Sequence, residues 1–174
     1  MLMSQAHVNE QKDVIVMGFS IYLSLSGQSQ GSISAGCNTK QSIGNKCQLS
    51  HIDQISVFEV NYGITMQDNK SHIPLTIRKP IDKSSPLLFQ AVNDNEELDC
   101  EFDFYRTDSA GMQVIYYKVI LKKSHITELN IVHPHSLQNE NGDPEEIVTF
   151  QFDTISIEHV AANTTGWAAW KNEE

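Results

Sequence analysis

The chain has 174 residues, 40% of them hydrophobic, which suits one domain with a substantial core and leaves no stretch long enough to span a membrane. Its 22 acidic residues outnumber the 12 basic ones, and the formal charge of -10 repels phosphate backbones and anionic lipid surfaces. Nucleic-acid partners and membrane insertion are therefore disfavoured.

Cysteine usage and the N-terminus indicate the compartment. Cys37, Cys47 and Cys100 lack Cys-x-x-Cys spacing and favour free thiols in a reducing cytoplasm, although a Cys37–Cys47 pair stays open. The apolar run at residues 14–17 is too short for a signal peptide. Residues 1–17 are interpreted as an N-terminal extension, disordered or added by an upstream start. Residues 18–170 then form a single domain, followed by a tail at 171–174.

The first predicted strand follows this extension, because apolar and polar residues alternate from Phe19 to Leu25. Residues 27–51 are rich in Gly, Ser, Gln and Asn, and so long a connection is typical of a binding loop or a disordered segment. Strand character returns at 54–61 and breaks at Tyr62-Gly63. A second polar loop is predicted at 65–72, before a strand at 75–78.

A short helix is predicted after this strand. Ser85 is placed to cap it, and Pro86 fits its first turn, where the missing N–H has no intrahelical acceptor. Apolar residues recur at helical spacing over 87–92, and the polar cluster at 93–96 ends the run. A helix of this length is marginal in water, so we expect it to pack against a sheet.

The rest of the chain has strand patterns. Alternate residues of the next strand divide between an apolar side, Cys100, Phe102 and Phe104, and an acidic side, Asp99, Glu101 and Asp103. Predicted strands at 113–122 and 124–132 are bulky on both faces, so we expect a helix or another subunit to cover them. A phase change within 146–160 predicts a bulge or bend near Asp153-Thr154. The fold class predicted is mainly β: an antiparallel β-barrel, or two packed sheets, with one short flanking α-helix.

Few residues suggest chemistry. His133-Pro134-His135 offers two imidazoles, whereas a metal site needs three or four ligands, so a strand-ending turn is the simpler interpretation. The acidic side at 99–103 fits either a divalent-cation cluster or, more simply, a solvated strand face. We predict no catalytic, cofactor-binding or metal-ligating residues, and a protein that is not an enzyme.

Several segments together resemble a known family. The run Ile-Asp-Lys-Ser-Ser-Pro at 81–86 ahead of a helix, the segment 98–107, Tyr116-Tyr117 and Gly166-Trp167 are similar to the haemolysin-coregulated protein (Hcp) family of bacterial type VI secretion. The similarity extends from about residue 19 to residue 170. Residues 21–23 and 42–46 look closest to the enterobacterial branch.

This resemblance implies a structural tube subunit. Homohexameric rings would stack into a hollow tube inside a contractile sheath, with the spike protein VgrG at its tip and small effector proteins in its lumen. It also implies secretion through the type VI machinery, without a signal peptide and without a cofactor. The alternative is a stand-alone secreted effector or binding module acting through residues 27–51. The chain ends soon after Trp170, so we expect no fused toxin domain.

The two tryptophans near the end are expected to pack on their own subunit or on a neighbour, since large aromatic side chains are costly to expose. For an assembly of this kind, we expect eight residues in the subunit interface: Ile64, Met66, Asp68, Lys79, Asp82, Lys83, Trp167 and Trp170.

Overall fold

The computed structural model describes residues 18–66, 69–138 and 142–170. In chain order its strands are β1 (Ser20–Gly27), β2 (Gly31–Ser32), β3 (Ile55–Val57), β4 (Glu59–Met66), β5 (Lys70–Pro80), β6 (Leu98–Thr107), β7 (Gln113–Val132), β8 (Glu145–Gln151), β9 (Thr154–His159) and β10 (Thr164–Ala169). The helices are α1 (Lys40–Ile43) and α2 (Ser85–Asn93), with 3-10 turns at Gly44–Lys46 and Leu49–His51. The predicted extension and tail lie outside the described residues.

The strands form two packed antiparallel sheets that share β7. In the first sheet the order is β2-β1-β6-β7-β9-β10, with β3 also pairing with β1. In the second sheet the order is β7-β8-β5-β4. The predicted β fold with a short flanking helix is confirmed. Among the described strands, β4 pairs with β5 alone and β10 with β9 alone, so the sheets do not close into a full barrel.

The chain turns from one sheet into the other at a corner in β7. Up to Lys122 this strand pairs with β9, and from His125 onward it pairs with β8. Lys123 lies between the two halves with a φ of 49°. This backbone conformation redirects the strand without ending it, so the two strands predicted here are one strand of 20 residues.

A second corner lies against the first. The predicted bend near Asp153-Thr154 is confirmed, because β8 ends at Gln151 and β9 begins at Thr154 in the other sheet. The Asp153 N–H donates to the Lys122 carbonyl over 3.2 Å, which joins the two corners.

The core lies between the sheets. Leu23, Phe102 and Val119 enter it from the first sheet, and Leu75 and Phe150 enter from the second, all of them buried. The rings of Phe102 and Phe150 meet edge to face at 6.5 Å. Burial of each such side chain stabilises the fold by roughly 1.5–3 kcal/mol, so the sandwich has a strong apolar centre.

Residues 27–51 differ from the prediction. They contain β2, α1 and two 3-10 turns, and they send Ile33 and Cys37 into the core, each about 1% exposed. The amide of buried Asn38 donates to Ser56 Oγ at 2.9 Å and its oxygen accepts from the Gln48 N–H at 2.8 Å. This segment is therefore an ordered part of the fold, and the expectation of disorder is wrong.

The start of α2 also needs a correction. Pro86 lies in the first turn as predicted, but Ser85 is already helical and does not cap. Its Oγ accepts from the Asp82 N–H at 3.0 Å and donates to Glu146 Oε2 at 2.7 Å. Asp82 Oδ1 instead accepts the Ser84 N–H at 2.8 Å, so the residue before the helix is held by an aspartate.

Candidate functional site: an assembly surface

A two-stranded arm extends beyond the second sheet. β5 pairs with β8 only over residues 75–80, while its earlier residues pair with β4 alone. Residues 63–66 and 70–74, here called the arm, therefore lie outside the three-stranded part of the sheet. The polar loop predicted at 65–72 is mostly strand, and the break predicted at Tyr62-Gly63 is a register irregularity between Asn61 and Gly63.

The arm exposes apolar side chains. Ile64 is 55% exposed, Met66 is 76% exposed and Ile73 is 47% exposed. A two-stranded ribbon is marginally stable by itself, and exposed apolar residues on it point to contact with another protein. Of the predicted interface residues, Ile64 and Met66 thus lie where a neighbour can reach them, whereas Asp68 lies outside the described residues.

One side of the arm is anchored at its root by a tyrosine pair. The hydroxyls of Tyr62 on β4 and Tyr117 on β7 lie 2.6 Å apart. Burial, and then the hydrogen bond with Tyr117, raise the pKa of Tyr62 well above its usual range. The Tyr62 hydroxyl therefore stays protonated, and its hydrogen bond with Tyr117 ties the base of the arm to the first sheet.

The two tryptophans behave differently. Trp167 lies on β10, the last strand on its side of the first sheet, and is 68% exposed. Trp170 packs edge to face on Phe152, with ring centroids 5.0 Å apart, and is half-buried. Packing on the same subunit thus holds for Trp170, and Trp167 presents a large aromatic surface to the outside.

Lys79 and Asp82 are interior residues. Lys79 is 0% exposed, and its Nζ donates to Asp82 Oδ1 at 2.9 Å and to Glu146 Oε2 at 2.7 Å. Asp82 Oδ2 and Glu146 Oε1 are buried without a hydrogen-bond partner among the described residues. One basic and two acidic side chains are thus buried together, and any part that Lys79 and Asp82 play in an interface would be indirect, through the position of the segment at 79–88.

Lys83 is exposed and connects this segment to the 27–51 region. Its Nζ donates to the Ala35 carbonyl at 3.0 Å, and its backbone N–H donates to Ser42 Oγ at 2.8 Å. The seven predicted interface residues that the structure describes are therefore spread over the arm, β10 and the residue after it, the buried ion cluster and this bridge. They do not form one continuous patch among the described residues.

Further exposed apolar residues were missed by the sequence reasoning. They are large, singly placed and at least 49% exposed: Phe58, Phe89, Met112 and Leu137. Phe89 lies on α2 but off the face of the helix that is buried. The helical spacing of the apolar residues could therefore have identified Phe89 as exposed.

The acidic side of β6 is neutralised by lysines from β7. Asp99 pairs with Lys122 at 2.9 Å, and Lys118 pairs with Glu101 at 2.5 Å and Asp103 at 3.1 Å. The hydrogen bond that Lys118 donates to Glu101 outweighs burial and raises the pKa of Lys118 to about 12. These lysine pairs neutralise the acidic side, but Asp103 is only 6% exposed, so the prediction of a solvated face does not hold for that residue. Across residues 18–66, 69–138 and 142–170 no group of three or more His, Cys, Asp or Glu is placed to hold a metal ion.

The cysteines are free thiols. Burial raises the pKa of Cys37 to about 11 and that of Cys100 to about 12, so neither is a ready thiolate at neutral pH. The open alternative of a Cys37–Cys47 disulfide is not present. In the part of the chain that the structure covers, no helix has the length and apolar character to cross a membrane.

Comparison with known proteins identifies the family. A family model described as "Type VI secretion system effector, Hcp" matches residues 22–159, which include both sheets up to the end of β9. The chain belongs to the Hcp family. Membership makes it a type VI secretion protein, and the resemblance of the segment at 81–86 is confirmed.

Three Hcp relatives illustrate the match. The "Major exported protein" of Pseudomonas aeruginosa is 33% identical over 169 residues, covering 90% of this chain and 98% of that protein. The structure of "Secreted protein Hcp3 from Pseudomonas aeruginosa" has a TM-score of 0.81 at 32% identity, covering 89% of this chain and 100% of the other. YhhZ of Escherichia coli K12 is 37% identical over 146 residues, but the chain spans only 36% of its length.

Proposed function

We propose that this Hcp chain is a structural tube subunit of a type VI secretion system. Six copies form a ring, rings stack into a hollow tube, and a contractile sheath propels the tube with the spike protein VgrG at its tip. Small effector proteins travel in the lumen. The subunit is a conduit and not an enzyme, and it leaves the cytoplasm through the type VI machinery.

The observation that carries this proposal is the exposed apolar arm. Ile64, Met66 and Ile73 expose large side chains on a ribbon that has no third strand beside it among the described residues. A self-sufficient soluble domain has no use for such a projection, whereas a subunit can bury it against the next copy.

A second exposed edge supports a ring. β10 carries Trp167 at one end of the first sheet, and β4 is the last strand at the end of the second. Two different edges on one chain favour head-to-tail contact between copies, and a head-to-tail contact with the right rotation closes into a ring. Apolar anchors such as Trp167 are typical of the centres of interfaces.

The alternative of a stand-alone binding module acting through residues 27–51 gains no specific support. Ile33, Cys37 and Asn38 belong to the interior, so removal of this segment would damage the fold whichever function is right. Single changes on its exposed surface, for example at Leu49, are the cleaner test of that alternative.

The proposal predicts that the arm is needed for assembly and not for folding. The double variant Ile64→Ser and Met66→Ser should shift the protein from rings to monomers in size-exclusion chromatography with light scattering, because apolar area leaves the contact. Its thermal unfolding should stay close to that of the parent. Leu137→Ser, the same kind of change at one 83% exposed residue of the turn after β7, is the control, and each single arm variant is compared with it directly. Undiminished rings in the double variant would remove the arm from the interface.

A further inference from the structure

The last described residues of the chain hold the arm by its β5 strand, at the tip and near the middle. The Ala169 carbonyl accepts hydrogen bonds from Lys70 Nζ at 2.9 Å and from His72 Nε2 at 3.0 Å. The second bond requires the proton on Nε2, because a carbonyl can only accept. Two donors of the arm's β5 strand thus converge on one carbonyl at the end of β10.

Aromatic packing reinforces this contact. The ring of His72 stacks on Trp170, with centroids 5.5 Å apart and planes at 22°, and it meets Phe152 edge to face at 5.6 Å. His72 is only 9% exposed, although the arm residues beside it, Ser71 and Ile73, are exposed. His72 is therefore the arm residue that is inserted into the body of the domain.

The terminal residues are themselves fixed to the corner of the fold. The Trp170 N–H donates to the Asp153 carbonyl at 2.8 Å, and Asp153 is bonded to Lys122 at the corner of β7. Trp170 also borders an open cleft of about 440 Å³, which His125, Gln151 and Phe152 help to line. Trp170 thus packs against the edge of the core and stays half-buried beside this cleft.

We propose that Ala169 and Trp170 act as a strap that fixes the direction of the arm. With the strap in place, the arm is anchored on both strands, by Tyr62 on β4 and by Lys70 and His72 on β5. With the strap released, residues 70–74 of β5 keep only their pairing with β4, and the arm swings about the irregularity between Asn61 and Gly63. The strap is a property of the single subunit, and its effect on assembly rests on the proposed function.

Amide hydrogen exchange read by mass spectrometry tests the strap. In Trp170→Ala, amides of residues 63–66 and 70–73 should exchange roughly tenfold faster, as expected when a local closing contact is lost, while β6 and residues 117–121 of β7 keep their protection. Trp167→Ala removes an equally large ring from the neighbouring β10 strand without touching the arm, so it should leave arm exchange unchanged. His72→Phe keeps a ring in place but loses its hydrogen bond, and should give a smaller acceleration.

Two results would overturn the strap. One is unchanged arm exchange in both Trp170→Ala and His72→Phe, and the other is an equal acceleration across the whole chain, which would mean a global loss of stability. Each variant is compared with the parent in the same oligomeric state, checked by light scattering. The exchange result can therefore be interpreted even if the chain forms no rings, and absence of rings would count against the proposed function alone.

Discussion

At the scale of single residues, the fold depends on acidic groups buried with specific partners. Glu96 follows α2 and accepts the N–H groups of Ser29 and Gln30 at 2.7 and 2.8 Å, together with the Gln30 side-chain amide at 2.6 Å. It thereby closes the turn between β1 and β2. Burial opposes ionisation of Glu96, but these hydrogen bonds outweigh it and hold the pKa of Glu96 below its ordinary value.

The lowered pKa of Glu96 predicts that the stability of the fold decreases in acid. Since its pKa is lower in the folded chain than in the unfolded one, its contribution is complete above the ordinary pKa of 4.5 and is lost as pH falls through the lower, folded value. Glu96→Gln should cost about 1–2 kcal/mol at pH 7 and flatten the loss of stability below about pH 4.5. Urea unfolding at a series of pH values measures both effects.

The neighbouring Glu97→Gln is the control, because Glu97 contributes to this turn through its backbone carbonyl, which accepts the Gln28 N–H at 3.0 Å and is kept in the variant. It should leave the pH dependence as it is in the parent. If Glu96→Gln and the parent lost the same stability as the pH falls, the assigned role of Glu96 would be contradicted.

Replacing Lys79 should destabilise the fold strongly, because it would leave buried carboxyl groups without their partner. Lys79→Met leaves the carboxylates of Asp82 and Glu146 buried without their cation, and should lower the free energy of unfolding by roughly 3–5 kcal/mol. Lys122→Met breaks an exposed pair with Asp99 and should cost less than about 1 kcal/mol. Denaturant unfolding of both variants gives the comparison, and similar small losses would show that the buried cluster adds little.

At the scale of elements, local periodicity predicted the faces of the strands well. Alternation over residues 21–25 and 99–104 indicated the buried faces of β1 and β6, but Phe19, on the same predicted apolar side, lies before β1 and is 77% exposed. The phase change near Asp153 indicated the corner between β8 and β9. The corner at Lys123 was not predictable, since a single positive φ at a lysine leaves no mark in the pattern. Residues 27–51 were misjudged because one apolar anchor, Ile33, is hidden among small polar residues.

The candidate site was only partly predictable for the same reason. Ile64, Met66 and Trp167 are exposed and fit the expected interface, whereas Lys79 and Asp82 look like surface charges in the sequence but pair in the interior. Pairing with Glu146 depends on a contact across 67 positions of the chain, which one sequence does not reveal.

Lys83 supplies a prediction at this scale. Its ammonium holds the Ala35 carbonyl beside the start of α2, so Lys83→Glu places a carboxylate against that carbonyl and should loosen residues 35–42. We expect ring formation to fall while thermal stability changes by no more than about 1 kcal/mol. Lys40→Glu makes the same charge change at an exposed residue of α1 and is the control. If Lys83→Glu still formed rings, the segment at 79–88 would serve only to start α2 and would have no role in assembly.

At the scale of the whole molecule, the fold is that of an Hcp protein, and its exposed apolar residues support the proposal that the chain is a subunit. A net charge of -10 keeps the chain soluble and, by repulsion, weakens any association between copies. Assembly should therefore depend on apolar contacts at the arm and at Trp167, and should strengthen as salt screens the charge.

Electron microscopy of the purified protein in negative stain, with its mass measured by light scattering across a range of concentrations, tests the central claim most directly. A tube subunit predicts hollow rings with the mass of six copies, more abundant at higher concentration and salt. A species that stays monomeric at the highest concentration and salt would contradict the assignment as a tube subunit.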